Sequence, residues 1–339
     1  MVTLRQVAER AGVSIKTVSR IVNADPAVKS ETRDAVLSHL KEMNYVPDQA
    51  ARLMRSGASN VVGLMTDAVA TTPYSVDIVR GAQAELKRDH KTLLIASTDG
   101  DPEMEDEYWR MFRAHKVSGV IYAAMFHRSQ AMGKPDFNEA VILANCFSKE
   151  GDRASVIPDD EGGGYAQADY LLKLGHRRIG LITLNPGIEA TILRGRGLRR
   201  AFRDHGVTFD YELEKVGSVG PLMNETVVAY DMAMSMLTKK NRPSALICGN
   251  DMLALQVFSA AAQLGLSVPQ DLSIMGFDNL TVISQTLRPS LTTVALPYFE
   301  IGRMAVEMVK LARDEKEGWA PKVLVPCPLV IRESCRALV

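Results

Sequence analysis

Residues 2–23 read VTLRQVAERAGVSIKTVSRIVN, and the periodicity of this stretch decides the architecture of the front of the chain. Thr3 and Gln6 stand at the spacing of a reciprocal helix cap. Leu4, Val7, Ala8 and Ala11 recur at i, i+3, i+4 and i+7, the narrow apolar stripe of a short amphipathic helix. Gly12 falls just beyond, where a helix turns through the left-handed region. Ser14 can cap a second helix, in which Val18, Ile21 and Val22 face inward and which ends near Asn23 and the Asp25-Pro26 break. The outward face of that helix carries Ile15, Lys16, Thr17, Ser19 and Arg20: hydrogen-bond donors plus one apolar side chain able to meet a thymine methyl group. A third helix starts at Ser30, with Val36, Leu40 and Met43 inward. Two short helices around a glycine-bearing turn, the second polar at its start, predict a helix-turn-helix. The plainer alternative is a helical bundle with a solvated face.

Beyond Tyr45-Val46-Pro47-Asp48 lies a segment, 49–55, between Pro47, which stops the third helix, and Gly57. A helix there has about seven residues, well short of the roughly 12–15 that an isolated helix needs. It is either a linker or a piece that becomes helical when something docks on it. Arg52, Arg55 and the Leu53-Met54 pair suit the second possibility.

The chain has no net charge, but residues 1–57 hold nine Lys/Arg against six Asp/Glu, and the remainder 31 against 34. A basic head on a mildly acidic body fits a nucleic-acid reader with a second task behind it. At 339 residues more than one domain is expected. No apolar run reaches the roughly 18 residues of a membrane span, and the opening MVTLRQVAERAG has no secretory pattern. Cys146, Cys248, Cys327 and Cys335 are scattered without a CxxC pair, which suits a reducing cytoplasm and small buried side chains.

From residue 60 onward short apolar runs (61–65, 92–96, 120–122, 141–143, 179–183, 245–248, 273–276) alternate with amphipathic stretches (75–88, 163–174, 193–205, 252–264, 297–312). Such βα alternation predicts open parallel sheets wrapped by helices, here in two lobes, with ligand binding at the carboxyl ends of the strands and therefore in a cleft.

Several tempting signals fail. Gly162-Gly163-Gly164 follows three acidic residues and matches no phosphate-binding pattern. The acidic run 99–103 has Met104 and Arg110 where a calcium loop needs Gly and Glu. His127 and His176 have no ligand-spaced partner, and no catalytic constellation or cofactor motif emerges.

The stretches VTLRQVAERAGVSIKTVSRIVN, SETRDAV and NYVPDQAARLMRSG closely resemble the headpiece of the LacI/GalR (lactose-repressor) family. The resemblance continues through GLMTDAVATTPYSVDIVRGAQ, LLKLGHRRIGLI, RGRGLRRAF, ICGNDMLALQV, IMGFDN, RPSLTTV and LVIRES, so it spans the chain. It implies an all-α helix-turn-helix headpiece (1–46), a hinge helix (47–58) and an α/β two-lobed body like a type I periplasmic binding protein (59–339). It implies a first lobe at about 59–159 and 291–320, a second at about 160–290 and 321–339, and crossings near 158–162, 288–292 and 319–323.

By that resemblance, Ser14, Ile15, Lys16, Thr17, Ser19, Arg20 and Asn23 read bases or phosphates in the major groove. Arg52, Leu53, Met54 and Arg55 enter the minor groove, with Met54 where members usually carry a leucine wedge. Tyr74, Arg194, Asn250, Asp251 and Asp278 face the effector, while Leu296 stands where members often place a polar residue. Each has a bland alternative: Asn250-Asp251 as a helix cap, Asp278-Asn279 as a turn, Arg194 as one surface charge among several.

The expected function is a cytoplasmic, non-enzymatic repressor that needs no cofactor. It binds a pseudo-palindromic DNA operator as a homodimer and is released by a small molecule. A neutral sugar is favoured over a sugar phosphate, because Arg194 is the one clear cation directed at the site. A sugar-uptake protein and a sugar-modifying enzyme with an accessory head are the competing readings; the first is opposed by residues 1–57, the second by the missing catalytic groups.

Overall fold

The computed structural model describes residues 2–22, 25–45, 59–70, 75–131, 140–312 and 319–338, in two compact units, Met1–Ser59 and Asn60–Val339. Asn23, Arg52, Leu53, Met54, Arg55 and Tyr74 lie outside the described residues.

The first unit contains helices α1 (Leu4–Arg10), α2 (Ile15–Val22) and α3 (Ser30–Glu42). The reciprocal cap forms: Thr3 Oγ1 accepts from the Gln6 backbone N–H at 3.3 Å, and Gln6 Oε1 accepts from the Thr3 N–H at 2.9 Å. Gly12 has φ +64°, which a side chain would strain, and so lets α1 end and the chain turn into α2. Ser14 Oγ accepts from the Thr17 N–H at 3.1 Å and starts that second helix. Val7, Ala8, Val18, Ile21 and Val36 close a small core, with Leu40 and Met43 packed against it.

The second unit opens with β1 (Val61–Thr66), α4 (Asp77–Arg88), β2 (Thr92–Ser97), α5 (Pro102–Ala114), β3 (Val120–Ser129), β4 (Val141–Phe147) and β5 (Ser155–Pro158). The acidic run before α5 is a helix start: Asp101 caps it by accepting from the Glu103 N–H, and Pro102 occupies the first turn, where its missing N–H costs nothing. Then follow α6 (Asp160–Lys173), β6 (Ile179–Thr183), α7 (Glu189–Asp204), β7 (Glu214–Val216), the short hairpin β8 (Ser218–Val219) and β9 (Thr226–Val227), and α8 (Ala229–Leu237). The chain ends with β10 (Ala245–Cys248), α9 (Asp251–Gln263), β11 (Ser273–Asp278), α10 (Thr281–Ser284), β12 (Thr292–Ala295), α11 (Tyr298–Leu311), β13 (Lys322–Val325) and β14 (Leu329–Val330).

Two six-stranded sheets result, ordered β13-β5-β4-β3-β1-β2 and β14-β12-β11-β10-β6-β7. All pairings are parallel except β12 with β14. Because helices cover both faces, the central strands read as almost unbroken apolar runs. In the first lobe α4 and α11 bury one face, and Trp109 and Phe112 of α5 the other. In the second, α8 and α9 cover one face and α6 and α7 the other. Cys146, Cys248 and Cys327 are buried as small core side chains.

Sheet membership corrects two expected crossings. β12 pairs with β11 (Met275 opposite Thr292), so the second crossing falls after Ala295 rather than at 288–292. β13 pairs with β5 (Leu324 opposite Ile157), so the third follows Val325 rather than 319–323. Residues 292–295 therefore belong to the second lobe and 322–325 to the first. Both strands have only four residues, too few for periodicity to reveal which sheet they join. The first crossing, between β5 and α6, lies within 158–162.

Candidate functional site

On the head, Ser14 before α2 and Ile15 and Lys16 in its first turn are exposed to solvent, while Thr17, Ser19 and Arg20 are half-buried. Ile15 is 46% exposed, high for a large apolar side chain on a helix whose other face is core, which leaves it available to an external surface. Arg20 donates from Nε to Asp25 Oδ2 at 2.7 Å, and its guanidinium holds that carboxyl below the usual carboxylate range. The same loop is fastened by Arg33, whose Nη2 donates to the Asp25 carbonyl at 2.8 Å. The guanidinium of Arg20 is thus oriented by its own unit before any ligand arrives.

In the body, a cavity of about 380 Å³ opens between the two lobes, walled by Met125, His127 and Asn145 from the first and by residues of α6, α7, the β8–β9 hairpin and the end of β11 from the second. Arg194, Asn250 and Asp278 all line it. Arg194 is 8% exposed, which sets aside the surface-charge alternative. Its Nε donates to Asp160 Oδ1 at 2.7 Å, its Nη1 donates to the Gly249 carbonyl at 2.6 Å and lies 3.9 Å from Asp278 Oδ1, and its guanidinium stacks 3.5 Å from the centroid of the Phe277 ring.

Two glycines make this arrangement possible. A Cβ on Gly197 would strike the Glu161 carbonyl, and one on Gly164 would strike the backbone of Arg194. Their absence lets α6 and α7 touch backbone to backbone, which brings Asp160 at the start of one helix against Arg194 on the other. The glycine run in the first turns of α6 therefore serves helix packing.

Asp160, fully buried, is the hub that the sequence reading missed. Its second oxygen bonds His127 Nδ1 at 2.6 Å, so His127 of the first lobe, Asp160 at the crossing and Arg194 of the second lobe form one polar chain. Burial alone would raise the Asp160 carboxyl; the Arg194 charge and the His127 bond outweigh it and hold the group below its ordinary value. Asp278 goes the other way: desolvation in the cleft, with Asp251 and Asp160 nearby, raises it well above the normal range despite Arg194.

Asn250 is both a helix cap and part of the cavity wall. Its Oδ1 caps α9 by accepting from the Leu253 N–H at 2.9 Å, and the residue also lines the cavity. Asp251 does not line the cavity; it faces the interior beneath it. Its carboxyl accepts from the Leu280 N–H at 2.7 Å and from Thr293 Oγ1 at 2.6 Å, fully buried. Burial pushes it up to about 7. Leu296 is in the wall, as is Tyr298, whose phenol is raised by burial and by the Asp278 charge. His127, Asn145, Asp160, Ser218, Glu225 and Tyr298 complete the described polar lining; they are scattered along the chain, and no recognisable motif links them.

No helix among the described residues is long and apolar enough to cross a membrane. Residues 3–48 match the bacterial regulatory proteins of the lacI family, and residues 168–335 match the periplasmic binding protein-like domain. The sucrose operon repressor of Escherichia coli is 33% identical, over 98% of this chain and 100% of the relative. The HTH-type transcriptional regulator DegA of Bacillus subtilis is 30% identical over 99% of this chain and 98% of its own length. Among solved structures, a lacI-family transcriptional regulator of Rhizobium etli superposes with a TM-score of 0.77 at 40% identity, covering 82% of this chain and 99% of its own. The lac repressor dimer bound to operator superposes with a TM-score of 0.79 at 26% identity, covering 99% of both chains. With a helix-turn-helix head, a two-lobed body around a buried polar cleft, and likeness over nearly its whole length, the chain belongs to the lacI family of bacterial regulatory proteins.

Proposed function

We propose that the protein is a transcriptional repressor that binds a pseudo-palindromic operator as a homodimer and lets go when a small polyhydroxylated molecule of the sugar class fills the interlobe cleft. The observation that carries this reading is Arg194: a buried guanidinium, held by Asp160 and Gly249 and facing Asp278, in a cavity shared by two lobes. A guanidinium, a carboxyl and the amide of Asn250 can share paired hydroxyls, and closing around them shifts one lobe on the other.

On the DNA side, Ile15, Lys16 and Arg20 read bases in the major groove, and Ser14, Thr17, Ser19 and Asn23 support them. Arg52, Leu53, Met54 and Arg55 enter the minor groove, with Met54 as a wedge between base steps. Tyr74 flanks the effector. The lac repressor structure is a dimer on operator, and paired heads suit a two-fold site. The relatives named above are regulators and repressors, and the reading assigns no catalytic step and a cytoplasmic location.

The test is selection of operator from random DNA by the full-length chain, followed by binding with and without a panel of sugars and nucleobases. An enriched two-fold motif, released by a sugar in wild type and retained in Arg194→Ala, supports the reading. A variant released at the same sugar concentration as wild type removes Arg194 from the site.

A further inference from the structure

The cleft holds one acidic side chain, Glu225, that has a buried oxygen with no hydrogen-bond partner among the described residues. Glu225 lies on the β8–β9 hairpin, beside Thr226, with Met223 and Val227 of the same hairpin also in the cavity wall. Its Oε1 is removed from solvent and has no hydrogen-bond partner. A buried carboxylate oxygen without a donor is unfavourable, so on a cavity wall it calls for a donor from the contents of the cavity.

Nothing else in the described lining relieves it. Arg194, the one described lining cation, is already engaged by Asp160, the Gly249 carbonyl and, more distantly, Asp278. The described wall therefore carries three carboxyl groups, Asp160, Glu225 and Asp278, against one guanidinium.

His127 Nε2 on the same wall is also buried without a hydrogen-bond partner, while the Asn145 side chain lies against the Tyr298 phenol. Asn145 donates from Nδ2 to the Ala124 and Met125 carbonyls at 2.9 and 3.1 Å, which fixes Oδ1 as an acceptor. His127 directs Nδ1 at the acceptor-only Asp160 carboxylate, so in the neutral ring Nε2 is also an acceptor. Glu225 Oε1 and, in the neutral imidazole, His127 Nε2 are thus acceptors from two elements, and the first belongs to a carboxylate.

From this vacancy we infer that Glu225 is a specificity-determining residue that receives a protonated amine of the effector, so that the ligand class is an amine-bearing polyol, such as an aminodeoxy sugar. The inference rests on the interlobe cleft being the effector site and refines which sugar-class molecule enters it. An ammonium offers three donors and a positive charge to a wall whose one described cation, Arg194, is already engaged. Acidic and phosphorylated sugars bring acceptors and negative charge and are rejected. The elevated Asp278 carboxyl fits the same picture, since a cation bound nearby would favour its ionised form.

The experiment measures thermal stabilisation and calorimetric affinity of the full-length chain with three matched probe sets. The first set is D-glucose, D-galactose and D-ribose; the second is D-glucosamine, D-galactosamine and 1-amino-1-deoxy-D-sorbitol; the third is D-gluconate, D-glucuronate and D-glucose 6-phosphate. The expected result is saturable stabilisation by an amine, stronger than by its neutral counterpart, with no stabilisation by the acids. Glu225→Gln, nearly isosteric, should weaken that amine at least tenfold without lowering the melting midpoint of the ligand-free protein; Glu225→Ala should do the same.

Neutral or acidic probes that bind more tightly than amines overturn the inference, as does an amine bound equally well by wild type and both Glu225 variants, or a panel in which no amine stabilises the protein. Binding that survives both the Glu225 variants and Asp278→Asn would place the ligand outside the cleft and overturn the effector-site reading as well. Binding lost only in Asp278→Asn keeps the cleft and removes Glu225.

Discussion

Arg20 and Asp251 show how one side chain can be prepared for a task by its neighbours. Arg20 leaves α2 already aimed by Asp25, so in the proposed base-reading role little side-chain freedom would be lost on meeting a guanine edge. Arg20→Ala should weaken operator binding by about 1–3 kcal/mol and relax preference at one base pair in each half-site. Repeating selection from random DNA checks this, and an unchanged motif would count against the assignment. Asp251 lies under the cleft and titrates near 7 rather than at its ordinary value. From about pH 4 upward the unfolded chain has lost this proton while the native protein still holds it. The native state then binds more protons than the unfolded state, so stability falls as pH rises toward 7. Asp278, raised as well, adds to the same slope. Asp251→Asn should flatten the decline of the melting midpoint of the ligand-free protein between pH 5 and 7. An equally steep decline in the variant would show that Asp251 does not titrate there.

Helix-to-helix contact decides whether the polar groups of the cleft meet at all. Gly197→Ala would push α7 away from the Glu161 carbonyl and draw Arg194 off Asp160. Overpacking of this kind costs about 1–3 kcal/mol, so the melting midpoint should drop by several degrees and effector affinity should fall with it. Unfolding curves and calorimetry on one preparation would show both changes or disprove the link. At this scale the sequence was legible where a pattern ran long enough. The three head helices follow from apolar spacing and caps, and the long central strands from their apolar runs. Four-residue β12 and β13 carry no such pattern, so their sheets emerge only from pairing. Arg194, Asn250 and Asp278 were found through family likeness and do gather at one cavity. His127 looked solitary because its partner Asp160 is 33 residues away and on another element. Glu225 sits on a hairpin with two-residue strands and no recognisable motif.

For the whole molecule, one polar chain reaches from His127 on the first sheet, through Asp160 at a crossing, to Arg194 and Asp278 on the second lobe. A ligand that engages this chain favours one arrangement of the lobes over another, and it shifts DNA binding only by as much as its affinity differs between them. By linkage, the operator must change effector affinity by the same factor as the effector changes operator affinity. The most direct test is fluorescence anisotropy of a labelled, selected operator with the full-length protein, titrated with whichever probe raises its melting midpoint. Wild type should lose operator affinity by about 5–150-fold on saturation, the usual range of such coupling. Asp278→Asn should bind the same operator as tightly as ligand-free wild type and show no response. A probe that demonstrably fills the cleft yet leaves wild-type operator affinity unchanged would contradict the claim that the body controls the head.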